Sequence, residues 1–251
     1  IKEIIKSFKF MNEPLTEIEV NNNEIIITNG NRNIKMKCED VEEYPLGFMV
    51  DDIDNSYTYN TKSLYNRIKK IDFARSKDNS RPQLTGIHFN SEDMVALDGY
   101  RIALNKDRLL IVEKDFTIAP ATINFLNKTL NSKLEQELLI GTNDKYLTLE
   151  YDNLTVISRL LEGNYFNYKD VFHKEYSSIK LNTKKLKDNI EFLSIYTKGN
   201  KMELTRVDIT NDMLKFSVNT EKGIFKTEDR ISSNLDLKMG FNNRYMLDTL
   251  K

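Results

Sequence analysis

The chain repeats itself at an interval of about 121 residues, and this period limits what it can fold into. Segment 60–71 is similar to segment 182–193, and each carries three apolar residues at positions i, i+4 and i+7. That spacing places the three side chains on one face of a helix in both copies. The residues are Leu64, Ile68 and Ile71 in the first copy and Leu186, Ile190 and Leu193 in the second.

Other parts of the chain keep the same interval. Tyr44 recurs as Tyr165, Leu84 as Leu204, and segment 115–129 as segment 236–250. The phase predicts the C-terminal part of a first repeat at 1–50, a complete second repeat at 51–173 and the N-terminal part of a third at 174–251. Three full copies would need roughly 363 residues, so we expect that both ends of a longer protein are trimmed or not represented in this sequence.

Each repeat has the pattern of an α+β unit. Helical spacing covers about 61–74 and 119–131 in the complete copy. Runs rich in β-branched and aromatic residues predict strands between and after these helices, at 84–90, 93–97, 101–104, 137–141, 145–150 and 154–161. We therefore predict tandem repeats in which two helices pack on antiparallel sheet.

Composition gives no indication of an enzyme. The chain has one cysteine, Cys38, and two histidines, His88 and His173, which lie far apart in the sequence. No phosphate-binding Gly-rich loop and no metal-ligand spacing is present, so we expect no catalytic residue, metal or cofactor. Without a long apolar run or a signal peptide, we expect a cytoplasmic protein that does not contact a membrane.

The net charge of −1 hides a strong segregation of charge. Residues 61–77 alone carry +5, and the other predicted helical segments are also basic. A basic helix face suits sequence-independent contact with phosphates, whereas the alternative is a solvated face balanced by acidic loops. The candidate DNA-facing residues are Lys62, Arg67, Lys69, Lys70, Arg75, Lys77, Arg81, Lys128, Lys184 and Lys185.

Three segments, 81–87, 96–103 and 158–171, resemble the middle domain of the bacterial DNA polymerase III beta subunit, and 240–250 resembles its third domain. The resemblance implies a non-catalytic processivity factor, or sliding clamp. Two subunits would close head to tail into a ring around double-stranded DNA, with helices lining the hole. The replicative polymerase and the clamp loader would be its partners.

Asp98-Gly99 between two apolar runs is first of all the sequence of a tight hairpin turn. In the family, this hairpin also borders a pocket that captures short peptide motifs from partners. Carried over, the pocket comprises Leu84, Leu97, Gly99, Tyr100, Arg101, Ile102, Phe166, Val171, Asn242 and Tyr245, with Met202 as a flexible wall.

This sequence departs from the family pattern at three positions of the pocket region. Leu97 replaces the usual threonine, Phe166 the usual proline, and Asp170 a commonly basic residue. These departures motivate an alternative, a clamp-like paralogue with a mobile-element, repair or regulatory role. A nucleotide-handling enzyme is a third reading, which the missing phosphate and metal motifs disfavour.

Overall fold

A computed structural model describes residues 6–11, 13–14, 16–21, 24–38, 53–106, 108–172, 176–198, 204–210 and 212–250. His173 and Met202 lie outside the described residues. The chain forms two compact units, Ile1–Asp51 and Asp52–Lys251. Each unit is treated separately below.

The first unit contains a three-stranded antiparallel sheet of β1 (Glu17–Asn21), β2 (Glu24–Asn29) and β3 (Arg32–Lys37), in that order. A two-residue loop joins β2 to β3, and Gly30 has the positive φ, 60°, that such a tight turn requires. Ile27 in the central strand is its most buried apolar side chain among the described residues.

The first half of the second unit contains two four-stranded antiparallel sheets. One has the order β7-β6-β5-β8, with β5 at Ile87–Asn90, β6 at Asp93–Leu97, β7 at Ile102–Lys106 and β8 at Phe116–Ile118. The other has the order β11-β10-β9-β4, with β4 at Asn55–Asn60, β9 at Glu137–Thr142, β10 at Tyr146–Tyr151 and β11 at Leu154–Arg159. The helices are α1 (Thr61–Ile71), α2 (Pro82–Thr85) and α3 (Pro120–Thr129).

Helix α1 begins where Asn60 caps it, since the Asn60 Oδ1 accepts a 3.1 Å hydrogen bond from the Ser63 N–H. Its predicted stripe of Leu64, Ile68 and Ile71 is buried, and α1 also contacts α3. Burying each such side chain contributes about 2 kcal/mol. The stripe therefore fixes which face of α1 meets the core and which face remains in solvent.

The second half of the unit repeats this arrangement. Asn182, 122 positions after Asn60, caps α4 (Thr183–Thr197) by accepting a 3.0 Å bond from the Lys185 N–H. The sheet has the order β14-β13-β12-β15, and α5 (Asn243–Thr249) contacts α4. Its strands are β12 (Leu204–Thr210), β13 (Met213–Thr220), β14 (Gly223–Arg230) and β15 (Leu237–Asn242). The predicted α+β class, with helices on antiparallel sheet, is confirmed.

Two of the predicted element boundaries are wrong. The segment 84–90 is not one strand, because Pro82 starts the short helix α2 and the strand begins only at Ile87. Proline suits the first position of a helix, where its missing N–H is not needed. The helix predicted at 61–74 ends at Ile71 and continues as a 3₁₀ turn, Asp72–Ala74.

Candidate partner cleft and basic helix face

The hairpin between β6 and β7 presents two side chains at one end of the sheet. Asp98 Oδ1 accepts hydrogen bonds from the backbone N–H groups of Tyr100 and Arg101, at 3.0 and 3.1 Å. Gly99 has a φ of 89°, which favours glycine at this position. As a result the Tyr100 side chain points outward and is 83% exposed.

The Arg101 guanidinium joins this hairpin to α5. Its Nε donates to Asp98 Oδ2 at 3.0 Å, and a terminal nitrogen donates to Asp248 Oδ2 at 2.8 Å. The other terminal nitrogen donates to the Phe73 carbonyl at 2.6 Å. The guanidinium carbon also lies 4.3 Å from the centre of the Tyr245 ring and 5.2 Å from that of Phe73.

A cleft of about 620 Å³ opens beside this cluster. Aromatic rings and charged groups line it together: Phe73, Tyr100 and Tyr245 supply the rings, and Arg75, Lys77, Arg101, Arg244, Asp72, Asp78, Asp98 and Asp248 the charges. Arg75 is paired with Asp72, and Arg101 with Asp98 and Asp248. The exposed Lys77 and Arg244 complete its basic lining.

The predicted pocket residues do not all meet in this cleft. Tyr100, Arg101 and Tyr245 line it, beside Gly99 in the hairpin turn. Leu84 and Leu97 are instead buried in a cluster with Val95 and Tyr168, and Ile102 packs against that cluster. Leu84 and Leu97 are surrounded by protein on nearly all sides and therefore support the hairpin instead of lining the cleft.

The remaining pocket residues are distributed elsewhere. Phe166 and Val171 are exposed in the segment that follows β11, while Tyr168 between them points inward. Asn242 is the cap of α5, since its Oδ1 accepts from the N–H groups of Arg244 and Tyr245. Met202 lies outside the described residues.

Phe166 borders a second cleft, of about 490 Å³, which also contains His88 and Tyr165. The His88 ring stacks on Tyr165 at 4.2 Å, and its Nδ1 lies 3.0 Å from the Thr117 hydroxyl. Burial lowers the pKa of His88 to about 4, although the carboxylate of Asp115 opposes this shift. Burial likewise raises the pKa of the Tyr165 phenol.

Lysines occupy the solvent face of the helices. Lys69 and Lys70 are exposed on α1, opposite its buried stripe, and the Lys69 ammonium lies 5.4 Å from the centre of the Tyr65 ring. Lys62 pairs with Glu135 at 2.9 Å. Lys128 on α3 and Lys184 and Lys185 on α4 are exposed as well, as is Arg81 before α2.

The prediction that Arg67 faces DNA is wrong. Its side chain is buried, donating from Nε to Asn105 Oδ1 at 2.9 Å and from a terminal nitrogen to the carbonyls of Glu92 and Asn105. The physical reason is its position three residues after Leu64, which places it on the buried side of α1. Arg75 does not lie on a helix face either, since it directly follows the 3₁₀ turn Asp72–Ala74. Its side chain pairs with Asp72 and donates to the Thr85 carbonyl.

Sequence reasoning missed Phe73, Arg244 and Asp248 in the cleft, and Tyr168 beneath the hairpin. Asp248 follows Tyr245 by three residues on α5, so the two side chains share a helix face. Phe73 lies just beyond α1 and contacts Arg101 through its backbone carbonyl and its ring. Since every residue has a backbone carbonyl, the residue type does not indicate which carbonyl makes such a contact.

Two further observations concern only the described part of the chain. No group of three or more histidine, cysteine or acidic side chains there could hold a metal ion. None of the described helices is long and apolar enough to cross a membrane.

Residues 58–167 match the family of the DNA polymerase III beta subunit, central domain. Over a longer stretch that includes this segment, 93% of the chain aligns at 26% identity with the beta sliding clamp of Streptococcus pneumoniae serotype 4. The beta sliding clamp of Staphylococcus aureus strain Mu50 aligns with 95% of the chain at 28% identity. The chain is therefore similar to beta sliding clamps along most of its length.

Solved structures of beta subunits agree with the fold described above. The DNA polymerase sliding clamp of Bacillus subtilis superposes with a TM-score of 0.83 at 26% identity, covering 98% of this chain and 68% of the other. The Bartonella birtlesii DnaN sliding clamp, at 18% identity, gives a TM-score of 0.87 and supports the fold alone. The chain spans 64% of the length of the pneumococcal beta clamp and 66% of the staphylococcal one.

Proposed function

We propose that this chain is the larger part of a sliding clamp, a processivity factor that encircles duplex DNA and tethers a DNA polymerase. The observation that carries this proposal is similarity in order along nearly the whole chain to proteins named beta sliding clamp. The three segments 1–50, 51–173 and 174–251 would then be the end of a first clamp domain, a complete second domain and the start of a third.

The basic helix faces support contact with DNA. Lys69 and Lys70 on α1 and Lys184 and Lys185 on α4 are exposed, while the opposite sides of both helices are buried. Mobile ammonium groups attract phosphates without reading bases, so the protein would not be held at any sequence. A head-to-tail homodimer ring would make dissociation topologically difficult, and weak contacts would suffice.

The cleft at the β6–β7 hairpin supports the capture of partner peptides. It combines the outward Tyr100 ring with the Tyr245 ring, whose centres are 6.2 Å apart. Aromatic surfaces with a few polar groups suit short peptide motifs, here those of the replicative polymerase and the clamp loader. The protein would be an accessory subunit with no chemistry of its own.

A primer-extension assay on primed circular DNA, with polymerase and loader from the source organism, tests this function. The full-length protein is expected to lengthen the products made in one binding event, and a version with Lys69 and Lys70 reversed to glutamate should do so less. Products of unchanged length with the full-length protein would contradict the proposal. The family likeness does not favour the paralogue suggested by Leu97, Phe166 and Asp170.

A further inference from the structure

The Arg101 guanidinium is engaged on every nitrogen by groups within this chain. Each of its three nitrogens donates to a protein oxygen, from Asp98, Asp248 or the Phe73 carbonyl. Its plane also contacts the Tyr245 and Phe73 rings. Three of its five N–H donors are therefore used within the chain, although the side chain lines the cleft.

Two of these partners belong to the third repeat and two to the second. Asp98 and Phe73 belong to the same repeat as Arg101, whereas Asp248 and Tyr245 lie on α5, nearly 150 residues further on. The Arg101 and Asp248 side chains are each only 16% exposed. An ion pair shielded from solvent in this way is weakened less by salt than a surface pair.

We propose that Arg101 is a positioning residue that fixes α5 of the third repeat against the β6–β7 hairpin of the second. Asp98 and the Phe73 carbonyl hold the guanidinium in place on one side of the junction. Asp248 and Tyr245 then dock onto it from the other side. These contacts of Arg101 set the separation of Tyr100 and Tyr245, and with it the shape of the cleft.

The planar fork of arginine is required for this arrangement. Lysine would keep the positive charge but could neither donate along three fixed directions nor stack flat on a ring. Asp248→Asn keeps the size of the side chain and removes its charge. Asp208→Asn makes the same change to an aspartate that pairs with an arginine, Arg206, within one repeat and away from the junction, and so serves as the matched control.

Pulsed electron spin resonance measures the junction directly. Two spin labels are placed at Asn153→Cys and Lys222→Cys, exposed hairpin positions in the second and third repeats, in a Cys38→Ser background. With the labelled chain diluted into unlabelled protein, the parent and the Asp208→Asn variant are expected to give one narrow distance distribution. Asp248→Asn and Arg101→Lys should each broaden it at least twofold.

Circular dichroism establishes that each variant is folded before its distances are compared. Distributions of equal width in the parent, Asp248→Asn and Arg101→Lys would overturn the proposal, and so would equal broadening by Asp208→Asn. The measurement contains neither DNA nor a partner peptide. Its outcome is therefore independent of whether the protein acts as a clamp.

Discussion

The Tyr168 hydroxyl donates a 2.7 Å hydrogen bond to Asp93 Oδ2 in the interior beneath the hairpin. Asp93 is buried, and the Lys106 ammonium, 3.7 Å from its other carboxylate oxygen, is the cation beside it. Tyr168 also packs in the cluster with Leu84 and Leu97. One side chain thus satisfies a buried charge and supports the hairpin that carries Tyr100.

Removing that hydroxyl should destabilise the protein. Tyr168→Phe leaves a buried carboxylate short of a donor, which costs about 2 kcal/mol of unfolding free energy. Urea denaturation followed by circular dichroism measures the loss. Tyr176→Phe, at a tyrosine that is 83% exposed, is the control and should change the midpoint little. Equal midpoints for the two variants would contradict the assigned role.

His88 makes stability depend on pH. Its folded-state pKa is about 4 against 6.5 for the free side chain, so the unfolded chain binds the proton more tightly. The contribution is fully present above pH 6.5 and is lost as the pH falls toward 4. Between pH 7.5 and pH 5 the parent should lose about 2 kcal/mol more than a His88→Leu variant. Urea titrations at both pH values test this, and parallel losses would refute it.

Reversing helix lysines should weaken retention on DNA. Changing Lys69 and Lys70 to glutamate replaces two positive charges by two negative ones on this face, and we expect binding about tenfold weaker at low salt. The difference should shrink as salt is raised, because the phosphate attraction is screened.

The measurement is the lifetime of the loaded protein on nicked circular DNA. Lys145 and Lys215, two exposed lysines associated with the sheets, are changed to glutamate as a charge-matched control. If the control shortens the lifetime as much as the helix variant does, net charge and not the helix face is responsible.

Truncating the cleft tyrosines should reduce capture of partner peptides. Tyr100→Ala and Tyr245→Ala are each expected to weaken binding of a polymerase C-terminal peptide at least about tenfold, as is usual for a central aromatic contact. Fluorescence anisotropy with a labelled peptide measures this. Tyr176→Ala should leave affinity unchanged, and a similar loss in that variant would argue against a local effect.

The two cleft variants should differ in stability. Tyr100 is 83% exposed, so its loss should hardly alter the unfolding midpoint. Tyr245 lies against the Arg101 guanidinium, and losing that contact should cost about 1 kcal/mol. Thermal unfolding of both variants distinguishes the exposed ring from the one that also supports the junction.

Local patterns predicted most elements of the fold and failed where one residue overrides its neighbours. The spacing of Leu64, Ile68 and Ile71 predicts the buried face of α1, because helix geometry alone decides which positions share a face. Pro82, in contrast, starts a helix inside an apparently strand-forming run. Arg67 was predicted to face DNA because it is positively charged. In the fold its position on the buried side of α1 decides its environment.

The sequence by itself determined the period of about 121 residues, which appears when the chain is compared with itself. It also determined the apolar helix faces and the hairpin turn at Asp98-Gly99, since each of these depends on residues close together in the chain. The tertiary structure alone decided that Arg101 meets Asp248, 147 residues away, and that Leu84 and Leu97 support the hairpin from below. Such pairings depend on how the finished sheets and helices pack. The type of a side chain determines which interactions it can make, whereas the tertiary packing determines which partners are close enough to make them.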